Sequence, residues 1–112
     1  MIWDAAVAHA LALHGAEASA SYGRPAIKAN GNTFLSVGQE ADTSFVLHLD
    51  PDLVAMLIDT HPETFWQTSH YEGYAAVLVR YRTTDDMLVR EMIDRAHARA
   101  SAKRPPRPRT AR

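Results

Sequence analysis

The dipeptide Asn30-Gly31 lies between two strand-like runs, residues 26–29 and 32–37. Both residues tolerate the positive φ angles that a two-residue type I′ turn demands, so the chain commits early to an antiparallel hairpin. A two-residue loop sets Ile27 opposite Phe34 and Lys28 opposite Thr33, with Ile27 and Phe34 turned to a core and Lys28 to water. A sheet begun in this way needs one face covered, and the rest of the chain must supply the cover.

Upstream of the hairpin, Trp3, Val7 and Leu11 recur every fourth residue, with Ala6, Ala10 and Leu13 on the same broad face. That spacing predicts an amphipathic helix over residues 3–14, closed by Gly15, which can take the left-handed conformation of a helix end. Residues 18–22 read as a first strand and Gly23-Arg24-Pro25 as a turn. Beyond the hairpin and a polar turn over residues 38–43, Phe45, Leu47 and Leu49 alternate with Val46 and His48 in strand fashion. Asp50-Pro51 then opens a second helix. Asp50 caps the free amides, Pro51 suits the first helical position, and Leu53, Met56 and Leu57 form the expected buried stripe. This helix should stop before His61-Pro62, because the residue preceding a proline avoids the α region. Residues 65–68 and 75–81 read as strands joined through Gly73. A last helix starts at Thr83 or Thr84, where Thr83 and Asp86 have capping-box spacing, and buries Val89, Met92, Ile93 and Ala96.

The predicted order is α-β-β-β-β-α-β-β-α, an α+β domain whose antiparallel sheet is covered by helices on one face. With 112 residues, 46% of them hydrophobic, the chain can bury roughly two-thirds of its unfolded surface, enough for one core and too little for two. Residues 1–102 form that domain. Residues 103–112, which hold three prolines and almost nothing apolar, read as a disordered basic tail.

There is no cysteine, which removes disulfides, thiolate metal sites and thiol nucleophiles from consideration. No basic region precedes an apolar stretch at the N-terminus, and no apolar run approaches the about 18 residues needed to span a bilayer. A cytoplasmic protein without membrane partners is the expectation. The formal net charge of −1 conceals a division: residues 1–94 hold 13 acids against five bases, whereas residues 95–112 hold seven bases and no acid. An acidic body thus carries a basic extension.

Tyr22-Gly23-Arg24-Pro25-Ala26, the Asn30-Gly31 hairpin, Leu49-Asp50-Pro51, and His70-Tyr71 with Gly73-Tyr74 leading into Val77-Leu78-Val79-Arg80 together resemble the YjbR-like (MmcQ) family. The resemblance spans roughly residues 3 to 100. It implies a small bacterial protein with a frataxin-like (CyaY-like) fold and a DNA-binding role, and it names no reaction. Frataxins bind iron through an acidic first helix. Here that helix carries only Asp4, with Glu17 beyond its end, whereas a hard cation needs clustered carboxylates.

On this reading the nucleic-acid contacts are Arg24, Lys28, Arg80 and Arg82 on the body, with Lys103, Arg104, Arg107 and Arg109 as an auxiliary arm following phosphates without reading bases. His70, Tyr71 and Tyr74 are candidate stacking surfaces beside Arg80, although rings at a turn equally serve to cover a sheet edge. A second reading makes the chain a protein-interaction or small-ligand module whose acidic body docks on a basic protein partner. The six histidines (9, 14, 48, 61, 70, 97) contain no i, i+4 pair and no His-x-His, so no metal or other cofactor is expected. Ser69 and His70 are strand neighbours pointing to opposite faces, no nucleophile elbow occurs, and Asp85-Asp86 is explained by helix capping; the chain reads as a non-enzyme. Trp3 and Trp66 suit core packing, with the indole N–H at the core's edge.

Overall fold

The computed structural model of the chain describes residues 1–21, 23–38, 43–68, 74–83 and 85–105. Its elements are helix α1 (Trp3–Leu11), strands β1 (Ala16–Ser21), β2 (Arg24–Ala29), β3 (Asn32–Val37) and β4 (Ser44–Leu47), helix α2 (Pro51–Thr60), strands β5 (Phe65–Trp66) and β6 (Val77–Arg80), and helix α3 (Asp86–Ala102). The strands form one antiparallel sheet in the order β1-β2-β3-β4-β6-β5. The α+β class and the alternation of helices and strands agree with the sequence.

Asn30 at φ 53° and Gly31 at φ 78° form the expected turn. Its register differs from the expectation after one pair. Lys28 does face Thr33, but Ile27 faces Leu35, because Phe34 is an extra residue on β3. Such a bulge lets two successive side chains serve one face, and both Phe34 and Leu35 are fully buried in the main core. Phe34 meets the His97 ring of α3 edge-on at 5.5 Å. Lys28 is half-buried rather than turned freely to water.

Arg24 and Pro25 begin β2 instead of forming a turn. Pro25 is accommodated because the β2–β3 ladder ends at Ala26 and Ser36, so its missing N–H costs no bond on that side. On the other side β2 pairs with β1 along its whole length, and β1 starts at Ala16, two residues earlier than the sequence suggested.

The main core lies between one sheet face and all three helices. From the sheet it takes Ile27, Phe34, Leu35, Phe45, Leu47, Phe65, Val77 and Val79, and from α3 Val89, Met92, Ile93, Ala96 and Ala100. The predicted stripe of α3 is therefore correct and one turn short. On α1 the buried residues are Ala6 and Ala10, while Leu11 is exposed; the small side chains let α1 sit close to α3, and the larger Trp3 and Val7 flank the contact. On α2 the buried residues are Val54 and Leu57, whereas Met56 is 47% exposed. Val54 lies three residues before Leu57 and shares its face.

The helix ends correct two further expectations. Asp85 caps α3 by accepting from the Leu88 amide at 3.2 Å, and Thr83 Oγ1 instead accepts from the Asp85 amide. Asp86 lies 3.1 Å from the α-ammonium of Met1, which also donates to the Tyr81 carbonyl at 3.0 Å. Asp50 caps α2 as expected, accepting from the Asp52 amide at 2.9 Å.

At its far end α3 closes on the hairpin. Asn32 Nδ2 donates to the Ala100 carbonyl at 3.1 Å, and Asn30 Nδ2 to the Lys103 carbonyl at 2.9 Å. A longer contact joins Asn32 to the Arg104 carbonyl at 3.4 Å. Helix C-terminal carbonyls have no intrahelical donor, and here two asparagines of the turn supply one. The carbonyls of Lys103 and Arg104 are thus tied by hydrogen bonds to the hairpin. Arg107 and Arg109 lie outside the described residues.

Candidate functional site

The face of the sheet turned away from the helices carries the candidate bases. Alternation along β2 puts Ile27 and Ala29 in the main core, and so Arg24, Ala26 and Lys28 on the opposite face. On β4 and β6 the same alternation places Ser44 and Val46, and Ala76, Leu78 and Arg80, on that face. There Val46, Ala76 and Leu78 form a second small apolar cluster with Trp66 packed against it. Trp66 therefore belongs to this face and not to the main core, and its Nε1 has no hydrogen-bond partner among the described residues. Trp3 does line the main core, 6.5 Å from Phe45 ring to ring.

The ladders fix the position of the bases relative to one another. Ser36 faces Val46, and Val46 faces Leu78. One pleat further, Arg80 faces Ser44, and Arg24 Nη1 donates to the Gly38 carbonyl at 2.9 Å. Gly38 packs directly on Ser44: a Cβ at that position would stand 3.0 Å from Ser44 Oγ. Arg24, Gly38, Ser44 and Arg80 thus form one row across the same end of the sheet. Three strand spacings separate the two arginines, roughly 14 Å.

Arg80 lies 4.9 Å from the centre of the Trp66 ring, near enough for the ring's quadrupole to hold the guanidinium. Arg82 is exposed in the turn after β6. Lys28 is at the hairpin end of the face, opposite Glu17 in the β1–β2 ladder. Lys103 and Arg104 also lie at the hairpin end, roughly 20 Å along β2 from Arg24 at about 3.3 Å per residue. The structure therefore brings Arg24 and Arg80 together and keeps the bases near the chain end apart from them. Tyr74 is 64% exposed, as a stacking ring requires. His70 and Tyr71 lie outside the described residues.

Sequence reasoning missed His48. Its Nε2 lies 3.4 Å from Ser36 Oγ. Burial, assisted by the nearby charges of Arg99 and Lys103, lowers its pKa from the ordinary 6.5 to about 4, so the ring is neutral at physiological pH. Only the strand alternation of Val46 and His48 hinted at its placement. Three other described histidines have structural partners. His9 Nε2 lies 2.7 Å from Asp94 Oδ1, His97 Nε2 lies 2.6 Å from the His14 carbonyl, and His61 Nδ1 lies 2.8 Å from Thr60 Oγ1. Among the described residues no group of three or more His, Asp or Glu is placed to hold a metal ion, and no helix is long and apolar enough to cross a membrane.

No curated protein matches this chain. The sequence profile of the YjbR family matches residues 11–99, a span that begins at the end of α1 and closes within α3, taking in every strand and the Arg24–Arg80 row. The chain is a member of the YjbR family.

Proposed function

We propose that this protein is a non-enzymatic nucleic-acid-binding member of its family, with a frataxin-like arrangement of sheet and helices, that holds phosphate groups weakly on the sheet face away from its helices. The observation carrying this reading is the row that sets Arg24 and Arg80 roughly 14 Å apart on one face. Measured along a duplex axis at about 3.4 Å of rise per nucleotide, that distance equals some four steps. Charge segregation supports it. The six strands carry Arg24, Lys28 and Arg80 against the single acid Glu17, whereas Asp4, Asp52, Asp59, Asp86, Glu91 and Asp94 all lie on helices. The helices also carry Arg90, Arg95 and Arg99, and the remaining six acids lie outside the helices and strands, so the strands are the part of the body with a positive balance. Arg80 on Trp66 adds a flat cation and an aromatic surface, the elements of a stacking contact with an unpaired base.

The described serine–histidine contacts favour a binding role over a catalytic one. Ser36–His48 and Ser101–His97 are both 3.4 Å apart, but neither imidazole is oriented by a carboxylate. His48 meets cations, and His97 is engaged with the His14 carbonyl.

Fluorescence anisotropy with labelled single- and double-stranded DNA and RNA, at about 50 mM and about 200 mM salt, tests the proposal. The proteins compared are the full chain, a chain ending at Pro105, and the full chain with Arg24→Ala and Arg80→Ala together. A chain ending at Pro105 is preferable to one ending at Ala102, because it keeps the carbonyls that the hairpin caps. The double variant should flatten the dependence of log affinity on log salt by about two phosphate equivalents. Binding that disappears with residues 106–112 and ignores Arg24 and Arg80 rejects the sheet face as the site. If no polynucleotide binds, the acidic body and a basic protein partner become the better reading.

A further inference from the structure

On the opposite side of the molecule, α2 and α3 leave a cleft between them. Its lining is apolar and cationic: Leu49 and Asp50 come from the β4–α2 segment, Leu53 from α2, and Arg95, Ala98 and Arg99 from α3. The cleft measures about 400 Å³, within the range of small-molecule sites.

Charge decides what suits it. Arg99 is half-buried, and among the described residues its guanidinium has no hydrogen-bonding or ion-pairing partner. A cation removed from water in this way gains from an anion placed beside it. Arg95 stands one turn earlier on α3, exposed, 3.9 Å from Glu91 and so only loosely paired. The one acid in the lining, Asp50, is engaged in capping α2. Beside these cations Leu53 is half-buried, with apolar surface left to cover.

We propose that this cleft is a binding site for small amphipathic anions, molecules with an aliphatic or aromatic body and one carboxylate or sulfonate group. The apolar body lies on Leu49 and Leu53, and the anionic group pairs with Arg99, with Arg95 at the rim. The site is separate from the arginine row on the sheet, so it stands whether or not that row binds nucleic acid.

The test titrates the full chain with octanoate, octanol and acetate, following backbone amide chemical shifts. Octanoate should give saturable shifts at Leu49, Asp50, Leu53, Ala98 and Arg99. It should bind about fivefold more tightly than octanol, the value of one partly buried ion pair, and acetate should not saturate at comparable concentration. Arg99→Gln should erase the advantage of octanoate over octanol while leaving octanol binding intact. Because Arg99 touches no core residue by hydrogen bond, that variant should keep the native spectrum elsewhere, and Arg95→Gln provides a second, fully exposed substitution with a smaller loss. The proposal is overturned if the shifts fall outside the cleft, if octanol matches octanoate, or if Arg99→Gln leaves the difference unchanged.

Discussion

The side chain of Asn32 donates to the Ala100 carbonyl at 3.1 Å, joining the first residue of β3 to the last turn of α3 across 68 positions of sequence. Its neighbour Asn30 repeats the device on Lys103 while adopting the positive φ that the turn needs. Asn32→Ala keeps Asn30-Gly31 and removes the cap together with a longer contact to the Asn30 carbonyl at 3.4 Å. It should destabilise the domain by about 1–2 kcal/mol, read by urea unfolding, with a melting temperature several degrees lower. An unchanged midpoint would show that water replaces the asparagine at no cost.

Ser44 offers a prediction of unusual sign. Its hydroxyl is fully buried without a partner among the described residues, so Ser44→Ala should be neutral or stabilising by up to about 1 kcal/mol. Gly38→Ala should destabilise by about 1–3 kcal/mol, since the added methyl meets Ser44 Oγ at 3.0 Å and the Ser44 carbonyl oxygen at 3.1 Å. In the double variant part of that loss should return, because one of the two collisions is gone. Chemical denaturation of the four proteins gives the coupling directly.

His48 makes stability depend on pH in a defined window. Its folded pKa, about 4, lies below its unfolded value of 6.5, so between these values the unfolded chain binds more protons. Stability from this group is complete above pH 6.5, falls as the pH drops toward 4, and changes no further below that. The swing is at most about 3 kcal/mol. Urea midpoints measured across this range should converge for the wild type and His48→Gln at the acid end, relative to their separation near neutrality.

Arg80 and Trp66 can be examined without a ligand. With Trp3→Phe, Trp66 is the remaining tryptophan. In that background Arg80→Gln should change the emission of Trp66 and cost no more than about 1 kcal/mol, the scale of an exposed cation–π contact. A spectrum indifferent to Arg80 would mean that the guanidinium leaves the ring in solution.

Much of the fold was legible in local sequence because its signals are local. The Asn30-Gly31 turn, the Asp50-Pro51 start, the His61-Pro62 stop and the α3 stripe each depend on residues within a few positions of one another. The misreadings share another character. A period-two count over residues 32–37 cannot reveal that Phe34 is inserted, because both Phe34 and Leu35 are apolar and either could face inward. Val54 and Met56 flank Leu57 on opposite sides of α2, and which side is buried is undecided until the neighbour is known. The arginine row was less legible still: Arg24 and Arg80 were each nominated, but their alignment depends on three ladders, β2–β3, β3–β4 and β4–β6, whose registers no single segment encodes. Arg99 was counted only as part of a basic extension, since nothing in a sequence shows that a guanidinium will be half-buried without a partner.

The closure of α3 on the hairpin has a consequence for the order of events at synthesis. The β2–β3 hairpin can form as soon as its residues leave the ribosome, within microseconds by local zipping. Its inward side chains, Ile27, Phe34 and Leu35, gain the part of their cover that α3 supplies only when Met92, Ile93 and Ala96 have been made. Translation of the intervening stretch, at roughly 5–20 residues per second, takes several seconds. For that interval the nascent strand pair lacks the cover of α3, and the final turn of α3 is what completes it.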